Sequence, residues 1–72
     1  MNTGNNLKLE VPDIFYPAFL KAVKRCNSEN KKMILCFQDF NKERKHIIEV
    51  ATDKRENYFF LGKYYATYRG EM

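Results

Sequence analysis

The last segment of the chain is the feature that most constrains its fold, because it concentrates large apolar side chains in a short stretch. Residues 58–68, YFFLGKYYATY, hold seven large apolar or aromatic side chains in eleven positions. Rings at this density have to pack against another layer of secondary structure. The rest of the chain must therefore supply such a layer, or a second molecule must.

The spacing of these side chains is compatible with a helix, which would gather most of them on one side. Phe59 would then point away from the others, together with small and polar residues. The side chains on the predicted stripe are Tyr58, Phe60, Leu61, Tyr64, Tyr65 and Tyr68.

The ends of the segment also favour a helix. Asp53 is followed three residues later by Glu56, which is typical of a capping box, and Gly70 suits a helix C-terminus. We therefore predict a helix that begins at about Thr52. Gly62 costs about 1 kcal/mol relative to Ala inside a helix. Because Tyr and Phe also prefer strands, a final strand is the alternative.

The first half of the chain predicts a strand followed by a helix. Residues 7–11, LKLEV, alternate apolar and polar side chains, as a strand with one solvated face does. From about Pro17 the spacing is helical, with Lys21, Lys24 and Arg25 opposite the apolar stripe. That stripe consists of Phe15, Tyr16, Phe19, Leu20, Ala22, Val23 and Cys26.

The middle of the chain predicts an antiparallel hairpin. Residues 33–37, MILCF, form a continuous apolar run, which indicates a strand buried on both faces and central in its sheet. Residues 41–45, NKERK, are a polar loop, and residues 46–50, HIIEV, return as a second strand.

These elements predict an α+β fold: a small two-layer domain in the order β-α-β-β-α, with β-α-β-β-β as the alternative. Residues 1–6 are expected to be a disordered tail and residues 7–72 a single domain. A domain of 72 residues buries only about 60% of the surface that its unfolded chain exposes. Its core is therefore small.

Composition limits the functional class. Cys26 and Cys36 lie ten residues apart, which fits neither a dense disulfide framework nor a pair of metal ligands. The sequence shows neither a signal peptide nor an apolar run of roughly 18 residues, so we expect a cytoplasmic protein and no membrane partner. The formal charge of +4 favours polyanions slightly.

Catalytic chemistry is not indicated. The chain has one histidine, His46, and one serine, Ser28, and lacks a glycine-rich phosphate loop. Cys36 and His46 could meet across the hairpin, but no third group to orient them follows from the sequence. We predict no catalytic, cofactor or metal site and no enzymatic activity.

We predict instead a regulatory or adaptor protein that binds a protein partner or forms a homo-oligomer such as a homodimer. The chain holds eleven Tyr and Phe rings, which exceeds what one helix easily buries on a three-stranded sheet. Tyr is also favoured at interfaces. The candidate partner-binding residues are Phe59, Tyr58, Tyr64, Tyr65 and Tyr68.

The alternative is a nucleic-acid-binding protein that uses the basic helix face and the hairpin loop. The acids Glu29, Asp39 and Glu43 are interleaved with these cations, which is typical of an ordinary solvated surface. The candidate residues are Lys21, Lys24, Arg25, Lys31, Lys32, Lys42, Arg44 and Lys45.

Overall fold

A computed structural model of the protein describes residues 6–72. The tail predicted over residues 1–6 lies outside the described residues except for Asn6, whose side-chain amide donates to Glu49 at 3.0 Å. The elements are β1 (Leu7–Pro12), a 3₁₀ turn (Asp13–Phe15), α1 (Tyr16–Ser28), β2 (Ile34–Phe40), β3 (Lys45–Ala51) and α2 (Asn57–Gly70). The predicted α+β order is confirmed, and the alternative with a final strand is wrong.

The three strands form one antiparallel sheet in the order β1-β3-β2. The sheet therefore places β3 between the predicted hairpin partner β2 and the N-terminal strand β1. Leu9 pairs with Ile48, and Leu35 pairs with Val50. These four side chains share the face of the sheet that the helices cover, and the core lies between this face and the helices. The core consists of Val11, Phe19, Ala22, Val23, Cys26, Met33, Ile48, Val50, Leu61 and Tyr64.

The predicted burial of the MILCF run is wrong, because β2 is an edge strand. Its Ile34 and Phe37 side chains are 46% and 48% exposed. Leu35 pairs with buried Val50, whereas Phe37 pairs with Glu49 on the opposite face, after a β-bulge that interrupts the register. Helices cover one face of the sheet only, so an apolar run in β2 cannot be buried on both sides.

The helix α1 buries most of the predicted apolar stripe, but Leu20 is 38% exposed, because the buried face is centred on Ala18, Ala22 and Cys26. It begins at Tyr16 with Pro17 in its first turn, and its buried residues are Ala18, Phe19, Ala22, Val23 and Cys26. Asn30 adopts a left-handed φ of 64°, and the Lys31 backbone N–H donates to the Cys26 carbonyl at 2.8 Å. Asn tolerates the left-handed conformation better than most residues, so Asn30 can terminate α1 with little backbone strain.

The predicted start of α2 is wrong by five residues, because the helix begins at Asn57 and Asp53 does not cap it. The Asp53 carboxylate accepts a hydrogen bond from the Asn57 side chain at 3.2 Å instead of from a backbone N–H. The same amide donates to the buried Thr52 hydroxyl at 2.7 Å, and Thr52 donates to the Lys32 carbonyl at 2.5 Å. This bridge ties the start of α2 to the segment before β2.

We predict that Asn57→Ala lowers the free energy of unfolding by about 1–3 kcal/mol, because it removes the buried donor to Thr52. Asp53→Ala, at an exposed position, should change it by no more than about 0.5 kcal/mol. Denaturant unfolding followed by circular dichroism measures both. An equal or larger loss for Asp53→Ala would restore the capping role to that residue.

The two cysteines are free and differ in accessibility, since Cys26 is fully buried whereas Cys36 is exposed at the bulge. Burial also raises the pKa of the Cys26 thiol. We predict that a thiol reagent modifies Cys36 in the folded protein and Cys26 only after denaturation. Mass spectrometry of the labelled peptides checks this, and rapid native labelling of Cys26 would contradict the core packing of α1.

Candidate functional site

The tyrosines predicted to bind a partner mostly face the interior. Tyr64 is buried, and Tyr65 lies half-buried with its ring edge-on to Phe19, at 5.8 Å between centroids. The Tyr58 hydroxyl donates to the Val50 carbonyl at 3.1 Å. These rings therefore join α2 to the sheet and to α1.

Cations of α1 lie over the outer rings of α2. The Arg25 guanidinium is 4.3 Å from the Tyr64 ring centroid, and the Lys21 ammonium is 4.9 Å from that of Tyr68. Arg25 also donates to the Tyr68 hydroxyl at 3.3 Å. We call these contacts of Lys21 and Arg25 with Tyr64 and Tyr68 the helix seam. They fix both the cations and the rings in place.

Glu29 lies at the end of the helix seam and accepts three hydrogen bonds. The donors are the Tyr64 hydroxyl at 2.5 Å, Arg25 at 3.3 Å and Lys31 at 3.3 Å. The Tyr64 bond chiefly, with help from the two cations, lowers the pKa of Glu29 to about 2. The same bond raises the pKa of Tyr64, so both groups keep their usual charge at neutral pH.

Phe59 differs from the tyrosines. Its side chain is 69% exposed, and its ring stands edge-on to Phe60 at 5.4 Å between centroids. The helical spacing predicts this outward direction. Of the five predicted partner-binding residues, Phe59 is the one that presents most of its ring to solvent.

An apolar cleft of about 120 Å³ lies between β1 and α2. Phe59 does not line the cleft, but along α2 it follows Tyr58 and lies about one turn before Gly62, which do. Gly62 forms part of its wall, and a Cβ placed there would meet no atom within 4 Å. Glu10 is the charged residue among its lining residues. The cleft is lined by Leu7, Leu9, Glu10, Val11, Phe19, Tyr58, Leu61, Gly62 and Tyr65.

The structure divides the predicted nucleic-acid residues among α1, the connection to β2 and the hairpin. Lys21, Lys24 and Arg25 line a shallow groove on the outside of α1, together with Ser28 and Tyr68. Lys31 and Lys32 lie in the connection, where Lys31 pairs with Glu29.

Two of the three hairpin cations face acids. Arg44 pairs with Asp13 at 3.7 Å and Lys45 with Glu10 at 3.8 Å, whereas Lys42 is exposed.

Cys36 and His46 are not brought together. Cys36 lies at the bulge next to Glu49, whereas His46 pairs with Phe40 at the other end of β2. The His46 Nε2 atom lies 2.9 Å from the Asp13 carboxylate, and its ring stacks on Tyr16 with centroids 3.8 Å apart. His46 therefore joins β3 to the start of α1. Residues 6–72 contain no group of three or more His, Cys, Asp or Glu side chains placed to hold a metal.

Sequence reasoning missed the cleft and the exposed ring of Phe37. Gly62 carried a usable signal for the cleft, because a glycine inside an apolar helical pattern often has a packing or binding reason. The sequence does not predict the exposure of Phe37, because a continuous apolar run is compatible with a central strand and with an edge strand.

Comparison with protein-family models, curated proteins and solved structures finds no match to this chain. What its surfaces bind has to be inferred from the contacts described above. Within residues 6–72, no helix combines the length and apolar character needed to cross a membrane.

We predict that Glu29 contributes to the loss of stability in acid. Its pKa in the folded protein, about 2, lies below the ordinary value of 4.5. Its contribution is therefore complete above pH 4.5 and disappears as the pH falls toward 2. Glu29→Gln should show a flatter dependence of unfolding free energy on pH over this range.

Denaturant unfolding at a series of pH values measures this dependence. Glu43→Gln, which removes an exposed acid from the hairpin loop, is the matched control and should keep the wild-type slope. If the unfolding free energy of Glu29→Gln depended on pH as steeply as that of the wild type, the hydrogen bonds of Glu29 would not contribute to stability in acid as we predict.

Proposed function

We propose that the protein is a small non-enzymatic binding protein with a regulatory or adaptor role, which self-associates through the surface formed by α2 and β1. The observation that carries this proposal is the exposed ring of Phe59 beside an apolar cleft. We call Phe59 and the cleft together the docking surface. Tyr58 and Tyr65 contribute to it as walls of the cleft, whereas Tyr64 and Tyr68 belong to the helix seam.

Phe59 is the aromatic side chain of α2 that is mostly exposed to solvent. Four tyrosines of the same helix are half-buried or buried, and each finds a packing or hydrogen-bonding partner. Leaving a Phe side chain in water forgoes about 1.5–3 kcal/mol relative to full burial. A ring retained at 69% exposure next to an apolar cleft supports a binding role.

A second copy of this chain fits the docking surface best. A two-fold symmetric interface requires one patch that carries both complementary parts. Here the projecting ring of Phe59 and the cleft at Gly62 lie within one helical turn of each other. Each Phe59 ring would enter the cleft of the other copy.

The expected association is weak. Burial of the two Phe59 rings contributes about 3–6 kcal/mol at most to the free energy of association. The loss of translational and rotational freedom opposes association by about 4–15 kcal/mol. The remaining cleft contacts have to supply the difference. A dimer whose population follows concentration suits a regulatory role, because small changes in protein level change the fraction that is paired.

We predict that Phe59→Ser and Gly62→Leu each weaken self-association by about tenfold or more, in line with a central interface residue. The first removes the ring, and the second fills the cleft. Leu also favours a helix more than Gly does, so Gly62→Leu should not weaken the fold. Sedimentation velocity over a concentration series measures the dimer fraction.

Two substitutions serve as matched controls. Ile14→Ser removes a comparably exposed side chain, 67% accessible, from the 3₁₀ turn, and Gly70→Leu adds a side chain where a Cβ also meets no atom within 4 Å. Both should keep the wild-type dimer fraction. A wild-type protein that stays monomeric at all concentrations, or controls that weaken association equally, would refute this surface.

A further inference from the structure

The charge of the protein is separated between its two halves. The helical half, residues 16–33 and 52–72, carries nine Lys or Arg and four Asp or Glu, a net charge of +5. The strand half, residues 6–15 and 34–51, carries four Lys or Arg and five Asp or Glu, a net charge of −1. The overall charge of +4 is therefore carried by the helical half of the protein.

Neither α1 nor α2 contains an Asp or Glu residue. A helix face that is charged for solubility normally mixes both signs, because Glu and Lys one turn apart stabilise each other. The acids Asp39 and Glu43, which are interleaved with cations in the sequence, lie in β2 and the hairpin loop. The cations of the two helices are Lys21, Lys24, Arg25, Lys63 and Arg69.

Three of these cations line one groove on the outside of α1, above Tyr68. Lys21 is held over the Tyr68 ring, and Arg25 is held by the Tyr68 hydroxyl and by Glu29. Lys24 is exposed and forms no ion pair within the described part of the chain. Because two of the three side chains are already ordered, less entropy is lost when an anion binds them.

We propose that this groove, the basic groove of Lys21, Lys24 and Arg25, binds the phosphate backbone of double-stranded nucleic acid. Proteins that bind single strands add exposed aromatic faces on which bases stack. In the basic groove the Tyr68 ring is covered by Lys21, and the neighbouring Tyr64 ring is covered by Arg25. Phosphates are thus the ligands that this groove can reach, and a duplex presents them at the higher density.

This proposal is independent of the docking surface. The basic groove is lined by α1 and by Tyr68 of α2, whereas the cleft of the docking surface is lined largely by β1 and by the first half of α2. A dimer formed through the docking surface would carry two basic grooves, but one groove is sufficient for the binding that we propose.

The test is fluorescence anisotropy of a short labelled DNA duplex, and of one of its strands alone, at several salt concentrations. About three to five phosphate contacts predict that log K falls with log salt at a slope of roughly −3 to −5. The double variant Lys21→Ala/Lys24→Ala should lower the affinity at low salt about tenfold and reduce the slope by about two. The single strand should bind more weakly than the duplex.

Lys8→Ala/Lys42→Ala is the matched control, because it removes two exposed lysines from the strand half and changes the net charge equally. It should keep the duplex affinity within about twofold, since exposed charges beyond a Debye length are largely screened. Phe59→Ser should also bind the duplex as the wild type does. Thermal unfolding of each variant verifies that its fold is retained.

Four results would overturn the proposal. They are failure of the wild-type protein to bind the duplex at low salt, an equal loss of affinity in the control pair, tighter binding of the single strand, and displacement of the duplex by inorganic phosphate at matched ionic strength. The last result would indicate a site for a single phosphate group rather than for a nucleic-acid backbone.

Discussion

The packing of α2 against the sheet and α1 determines which side of this helix faces outward. Leu61 and Tyr64 are buried, at 3% and 9% exposure, and the Tyr58 hydroxyl donates to the Val50 carbonyl of β3. Arg25 over Tyr64, Lys21 over Tyr68 and the hydrogen bond from Tyr64 to Glu29 hold α2 against α1. Each cation–π contact contributes about 0.5–1 kcal/mol at an exposed site, so these contacts add to the larger contribution from the buried side chains.

Two properties of the surface follow from this packing. Gly62 lines the cleft together with β1, and the ring of Phe59, about one turn earlier on α2, is exposed, which gives the proposed docking surface. The cations on the other side of the helix seam stay at the surface although they contact rings, because Lys and Arg bury their stems and keep their charged ends in water. One packing arrangement therefore produces both an apolar face and a basic face.

Much of the fold could be predicted from the sequence, because local patterns encode it. The apolar stripe of α1 and the alternation of residues 7–11 have one straightforward structural interpretation. The outward direction of Phe59 also follows from helical spacing once the segment is accepted as a helix. The edge position of β2 could not be predicted, since the order of strands depends on contacts that are distant in the sequence. The start of α2 was missed because Asn57 competes for the Asp53 carboxylate.

The candidate surfaces were less predictable than the fold. The tyrosines predicted to bind a partner mainly stabilise the fold. The Tyr58 hydroxyl donates to Val50 and the Tyr64 hydroxyl donates to Glu29, both within the same chain. The cleft is formed by β1 and α2, which lie at opposite ends of the sequence, so Gly62 marks its α2 wall but no local pattern shows that β1 completes it. The charge separation could have been recognised from the sequence, because it requires only that acids be counted within the helices.

The central claim is the location of the docking surface, and a concentration series of amide NMR spectra tests it most directly. As the protein is concentrated, the account predicts progressive shifts at Phe59, at Gly62 and along β1 (Leu7–Pro12). The resonances of Ile34 and Phe37, on the open face of the sheet, should stay in place. Shifts confined to Ile34 and Phe37, or spectra that do not change with concentration, would contradict it.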